Sequence, residues 1–120
     1  MAETLMQKKS MDFAIRIINL NKYLQKEKKE YTMSNQILRS GTSIGANIRE
    51  AKFAQSTLDF ISKMSIALKE ANETLYWLEL LNKTEYLNVT EFNNLYNDCD
   101  ELLRMLHATV LTSKKKISKS

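Results

Sequence analysis

The stretch that decides the fold is Ser34-Asn35-Gln36-Ile37-Leu38-Arg39-Ser40-Gly41-Thr42-Ser43-Ile44-Gly45-Ala46-Asn47-Ile48-Arg49-Glu50-Ala51. Ile37, Gly41, Ile44, Ile48 and Ala51 recur at three- and four-residue steps, the spacing of one helical face, with Ser40, Ser43 and Asn47 beside it. Gly41 and Gly45 put its continuity in question, because a glycine inside a helix costs about 1 kcal/mol relative to alanine. Two readings compete: a single helix whose small residues admit close approach by another helix, or a loop between two short helices. Ile37, Ile44 and Ile48 keep phase across both glycines, which favours the single helix.

Working outward, residues 10–29 place Phe13, Ile17, Leu20 and Leu24 on one face, with Ala14 and Ile18 widening it, before a charged stretch through Glu30. On the other side, Ser56-Thr57-Leu58-Asp59 reads as a capping box that starts a third helix. Its apolar positions Phe60, Met64, Ala67, Ala71, Leu75, Leu78 and Leu81 are broadened by Ile61, Leu68 and Trp77, so it should touch neighbours on more than one side. It should end near Asn82. A fourth helix should begin at Thr90, a candidate cap, and carry Phe92, Leu95, Tyr96, Cys99, Leu102, Leu103, Leu106 and Val110 inward.

The chain has 120 residues, no proline and only these two glycines, which suits one domain of long helices. The expected fold is all-α: an antiparallel up-and-down four-helix bundle over residues 1–113, with 114–120 as a basic, disordered tail.

Net charge is +4, unevenly spread. Residues 1–52 hold ten Lys and Arg against five Asp and Glu, residues 53–113 four against nine, and residues 114–120 four against none. A basic first half and tail would attract phosphates or acidic protein surfaces. Cys99 is the only cysteine, which excludes an internal disulfide and suits a reducing compartment, so the expected location is the cytoplasm. Neither a secretory signal nor a membrane-spanning apolar run is expected from the sequence.

Catalytic chemistry finds little support. A di-metal bundle site needs Glu-x-x-His steps on two helices, whereas the single histidine, His107, follows Arg104 at that spacing. Cys99 falls in the apolar phase of its helix between Asp98 and Asp100, anions that oppose thiolate formation. A glycine loop for phosphates is missing from the sequence. No enzyme activity, cofactor or metal is expected. What stands out is a polar constellation of Arg39, Ser40, Ser43, Asn47 and Glu50 on the second helix with Lys63, Glu70 and Glu73 on the third, and Tyr76 and Trp77 just beyond. Half-buried charges need partners, so Arg39 or Lys63 should pair with Glu70 or Glu73, within one protomer or between two; the alternative is an ordinary solvated face.

The run Arg39–Ala51, followed by Asp59-Phe60, Lys63, Ile66-Ala67, Lys69-Glu70-Ala71, Glu73-Thr74, Tyr76-Trp77-Leu78 and Leu80-Leu81, resembles the bacterial 23S rRNA intervening-sequence proteins, from about Phe13 to Leu111. The resemblance implies a four-helix protomer assembled into a ring of five. It also implies structural or interface roles for Arg39, Ser40, Ser43, Ile44, Asn47, Glu50, Glu70, Glu73, Tyr76 and Trp77, none of them catalytic. The family is similar to the accessory proteins of diversity-generating retroelements, pentameric barrels that contact nucleic acid and a reverse transcriptase. The expected function is thus a non-enzymatic homo-oligomeric binding protein. RNA or DNA would be held through Lys8, Lys9, Lys22, Lys26, Lys28, Lys29, Lys114, Lys115 and Lys116; the alternative is a structural or adaptor ring for another protein.

Overall fold

The computed structural model describes residues 3–118, which form four helices in sequence: α1 (Leu5–Glu27), α2 (Thr32–Lys52), α3 (Thr57–Lys83) and α4 (Val89–Ser118). Each helix packs on its neighbours in the chain, α4 returns to α1, and among the described residues the backbones of the diagonal pairs do not come close. Short links make successive helices antiparallel. One end of the 53 × 25 × 22 Å molecule, called lower here, carries the start of α1 and the α2–α3 turn. The upper end carries the α1–α2 and α3–α4 turns.

Helix α1 starts earlier than its apolar pattern suggests because Thr4 and Gln7 form a reciprocal capping box, Gln7 N–H donating to Thr4 Oγ1 at 3.1 Å and Thr4 N–H to Gln7 Oε1 at 2.8 Å. Helix α2 has no side-chain cap at Tyr31; instead the Glu30 carboxylate accepts from the N–H groups of Met33 and Ser34 at 3.2 and 2.8 Å. At the start of α3, Ser56 Oγ accepts from Asp59 N–H at 3.0 Å as expected, but the Asp59 carboxylate reaches Gln55 N–H, one residue before the expected target. Helix α4 is capped by Asn88 and not by Thr90, Asn88 Oδ1 accepting from Glu91 N–H at 2.8 Å.

Helix α2 crosses both glycines without a break, and their purpose is visible in α1. A Cβ on Gly41 would lie 2.9 Å from both Cγ atoms of Ile17, and one on Gly45 3.2 Å from Ser10 Oγ. At Gly41 only hydrogen fits, and at Gly45 a methyl group fits only if Ser10 gives by a few tenths of an ångström. The core is one continuous cluster running from Phe13, Ile17, Leu20 and Leu24 through Ile37, Ile44 and Ile48 to α3 and α4. Its polar members are satisfied: buried Thr74 Oγ1 donates to Glu70 O at 2.8 Å and is hydrogen-bonded to Ser40 Oγ at 2.9 Å.

Two expectations are corrected. Ile18 does not widen the core face of α1; it is 39 % exposed, because its position on the helix turns past α2 to the outside. Residues 114–118 are not a disordered tail, since α4 continues through Ser118, lysine being a good helix former and its cations facing the negative end of the helix dipole. Lys119 and Ser120 lie outside the described residues. No helix of the described residues is long and apolar enough to cross a membrane.

Candidate functional site

Glu70, Glu73, Thr74 and Trp77 lie at helical spacing on the α2-facing side of α3, where the crossing sets them against Arg39 and Ser40 of α2. The Arg39 guanidinium spans the two carboxylates, Nη1 donating to Glu70 Oε2 at 3.0 Å and Nη2 to Glu73 Oε2. Trp77 Nε1–H donates to the same Glu73 oxygen at 3.1 Å. The Trp77 indole foremost, then Arg39, hold the Glu73 carboxyl below its ordinary value against the opposing pull of burial. The hydrogen bond to Glu73 in turn raises Arg39 above its own. Tyr76 stays outside this network, half exposed, with its ring edge-on to Trp77 at 5.0 Å between centroids.

The expected pairing of Arg39 thus lies within one protomer. Lys63 does not join it and instead approaches Glu50 at 3.9 Å. Ser43 and Asn47 turn inward along their own helix, Ser43 Oγ donating to Arg39 O at 2.6 Å and Asn47 Nδ2 to Ser43 O at 2.8 Å. A general acid at neutral pH needs a carboxyl pushed up, whereas Glu73 is pushed down. The cluster is chemically a brace that ties α2 to α3 and holds the Arg39–Ser43–Asn47 edge in one conformation.

The lysines expected to meet nucleic acid are not gathered into one patch. Lys8 and Lys9 sit low on α1, where Lys8 pairs with Asp12 at 2.9 Å and Lys9 with Glu101 at 2.6 Å. These hydrogen bonds raise both amines above their usual value. Lys22, Lys26, Lys28 and Lys29 are exposed at the upper end, with Lys29 in the left-handed backbone region at φ 54°. Lys114, Lys115 and Lys116 ride the last turns of α4 at the lower end, where Lys116 and Lys52 line one hollow.

A second set of residues lies outside the polar motif. Lys9–Glu101 and Arg16–Asp98 are ion pairs that bridge α1 and α4, so part of the split charge is used inside the protomer. Met11, Ile15 and Ile18 make an exposed apolar line on α1. Their i, i+4, i+7 spacing was a readable signal, a second apolar face on a helix that already had one. Cys99 is fully buried with Sγ 3.4 Å from Ala71 O, and burial foremost pushes its thiol far up; His107 is exposed.

The model of the family described as 23S rRNA-intervening sequence protein matches residues 3–108. No curated protein matches. Among solved structures, the chain is similar to a protein with unknown function from the S23 ribosomal protein family from Bacteroides thetaiotaomicron VPI-5482, with 57 % identity and a TM-score of 0.87 over 88 % of this chain and 98 % of that one. By sequence over nearly its whole length and by its four-helix fold, the chain belongs to the 23S rRNA-intervening sequence protein family.

Proposed function

We propose that this chain is a non-enzymatic protein that works as a homo-oligomer, in the ring of five that the family resemblance implies, and presents the assembled surface to a binding partner. The observation that carries the reading is the line of Met11, Ile15 and Ile18, each between 39 and 51 % exposed on a helix whose other face is already buried. A contiguous apolar surface of this kind on a small domain marks a contact with another molecule. The brace between Arg39, Glu70 and Glu73 supports the same reading, because it gives a rigid protomer without offering reactive groups. Multi-angle light scattering at micromolar concentration tests it: a mass near five times 14.0 kDa is expected, and a monomer refutes it.

A role in holding RNA or DNA is favoured by the helical state of Lys114–Ser118, which carries three cations on a fixed rod at the lower end. In a ring whose axis runs along the bundle, each protomer would contribute these to one basic rim and Lys22, Lys26, Lys28 and Lys29 to the other. Phosphate contacts of this kind are weakly sequence-specific and salt-dependent. Replacing Lys114, Lys115 and Lys116 with alanine should lower the slope of log affinity against log salt by roughly 3 for each protomer whose rim touches duplex DNA. An unchanged slope assigns the rim to a protein partner.

A further inference from the structure

We infer that the lower end of the bundle docks on an anionic lipid surface, Phe53 and Leu58 entering the headgroup layer while Lys52, Lys114, Lys115 and Lys116 meet its negative charge. The inference names a partner that the proposed function leaves open, and it holds whether one copy or five present that end.

Phe53 and Leu58 are the most exposed large apolar side chains among the described residues, at 70 % each. Their place follows from the turn between α2 and α3. Helix α2 ends at Lys52 and α3 starts at Thr57, so the two side chains flank a short link at one end of a molecule 53 Å long. The core takes Ala51 before this turn and Ile61 after it, with Phe60 packed against them, and leaves Phe53 and Leu58 outside. Ile117, on the last turn of α4, is a third apolar side chain in part exposed here.

The cations come from two helices. Lys52 closes α2, with its Nζ 5.9 Å from the centre of the Phe53 ring. Ser113 and Lys116 of α4 line one hollow with Lys52, Ser56 and Thr57, which brings Lys114 and Lys115 to the level of the α2–α3 turn as well. Asp59 faces the same end, its carboxylate accepting from Gln55 N–H at 3.2 Å. Higher up, Arg49 shares the α1–α2 groove with Glu3 and Glu50, which offset it. Among the described residues the end itself thus sets four lysines against one acid.

The combination selects the partner. Cations alone suit the phosphates of a nucleic-acid duplex, whose backbone contacts have no use for two large apolar side chains. A bilayer interface uses both: apolar groups sink about 5–10 Å into the boundary of headgroups and acyl chains, and lysines are drawn to an anionic leaflet. Neither signal anchors firmly by itself, and together they do. No helix of the described residues can cross a membrane, so the contact is with the bilayer surface.

Cosedimentation with vesicles tests this, using phosphatidylcholine alone and phosphatidylcholine with about 30 % phosphatidylserine at about 0.1 M salt. Wild type should pellet with the anionic vesicles and stay in solution with the neutral ones. Replacing Lys114, Lys115 and Lys116 with alanine should lower the partition onto anionic vesicles by about 100-fold. Phe53→Ser with Leu58→Ser should lower it at least about tenfold and leave any affinity for duplex DNA unchanged. Both variants change exposed positions, and circular dichroism confirms that they fold. Wild type that ignores anionic vesicles overturns the inference. So does vesicle binding at full strength in the Phe53→Ser, Leu58→Ser variant, since charge alone then explains it, and DNA binding through the same lysines would give the end to nucleic acid. Light scattering keeps the proposed function separate: a ring that ignores vesicles sinks the lipid contact alone, and a monomer that binds them sinks the self-assembly alone.

Discussion

Replacing Gly41 with alanine sets two known quantities against each other. Alanine gains about 1 kcal/mol of helix propensity over glycine. Its methyl group would stand 2.9 Å from Cγ1 and Cγ2 of Ile17, a fully buried side chain held by its own helix, so the clash must be relieved by moving α1 or forcing a rotamer. Overpacking of that kind costs about 1–3 kcal/mol. With contacts to two carbons at once the upper part of that range applies, and the net loss should be about 1–2 kcal/mol, a fall in melting temperature of several degrees for a domain of this size. Gly45→Ala should cost less, since its new Cβ is tight only against Ser10 Oγ at 3.2 Å, meets Ser10 Cβ and O at an ordinary 3.5 Å, and keeps most of the propensity gain. Urea melts at one fixed protein concentration give the stabilities, and Ile17→Ala completes a cycle. Alone, Ile17→Ala should cost about 2–5 kcal/mol by leaving a cavity; on top of Gly41→Ala it should cost at least about 1 kcal/mol less, because the clash is gone and part of the hole is filled. A Gly41→Ala variant that is more stable than wild type, or a cycle with no coupling, refutes the account of why glycine stands there.

Arg39→Ala should destabilise by about 1 kcal/mol, discounted for a guanidinium that is half exposed, and should flatten the acid side of the stability curve. The sign follows from Glu73: its folded value is depressed, so the unfolded chain binds the proton more readily, and the stabilisation is present above the unfolded value of about 4.3 and lost as pH falls through the folded one. Urea midpoints from pH 7 down to 3 should converge for wild type and Arg39→Ala, and parallel curves would count against the brace. Glu85 sits at φ 67° directly after α3, with Tyr86 N–H donating to Leu81 O at 2.9 Å, so Glu85→Gly should raise stability by up to about 1 kcal/mol in a thermal melt. Cys99 should react with a disulfide reagent only as fast as the bundle opens, in step with unfolding rates measured across urea; rapid stoichiometric labelling in native buffer would contradict its burial and raised thiol.

Helix number and core were legible because periodicity is local: Ile37, Ile44 and Ile48 holding phase across two glycines was enough to keep α2 whole. The pairing of Arg39 with acids four turns into the next helix was legible too, since half-buried charge demands a partner. Lost were features set by which way a helix turns in space. Ile18 shares the apolar character of Ile17 and lies one residue on, yet that step of about 100° carries it past the α1–α2 contact into solvent. Lys9 and Arg16 look like free surface cations in sequence, and only the return of α4 brings Glu101 and Asp98 to them. The last turns of α4 are not legible because composition speaks to whether a segment can bury a core, and a helix already nucleated for many turns needs no core of its own to extend through good helix formers.

The α1–α4 seam differs from the other three in what closes it. Small and apolar side chains fill the α1–α2 and α3–α4 contacts and, beneath the Arg39 brace, the α2–α3 contact, while fewer residues of α1 and α4 approach closely and Lys9–Glu101 and Arg16–Asp98 bridge outside Phe13. All four of those side chains are between 36 and 53 % exposed, so each pair contributes little and is open to screening. The Debye length shrinks from about 10 Å at 0.1 M salt to about 3 Å at 1 M, which removes most of what such pairs contribute. Sodium chloride over that range should therefore speed amide hydrogen exchange along α1 between Lys9 and Arg16 while leaving the middle of α3, packed on both α2 and α4, unchanged. In an Lys9→Ala, Arg16→Ala double variant the faster exchange should already be present at low salt and respond little to more. Exchange that rises equally in α1 and α3, or a double variant that keeps the wild-type salt response, would mean that apolar packing around Phe13 and not charge holds this seam shut.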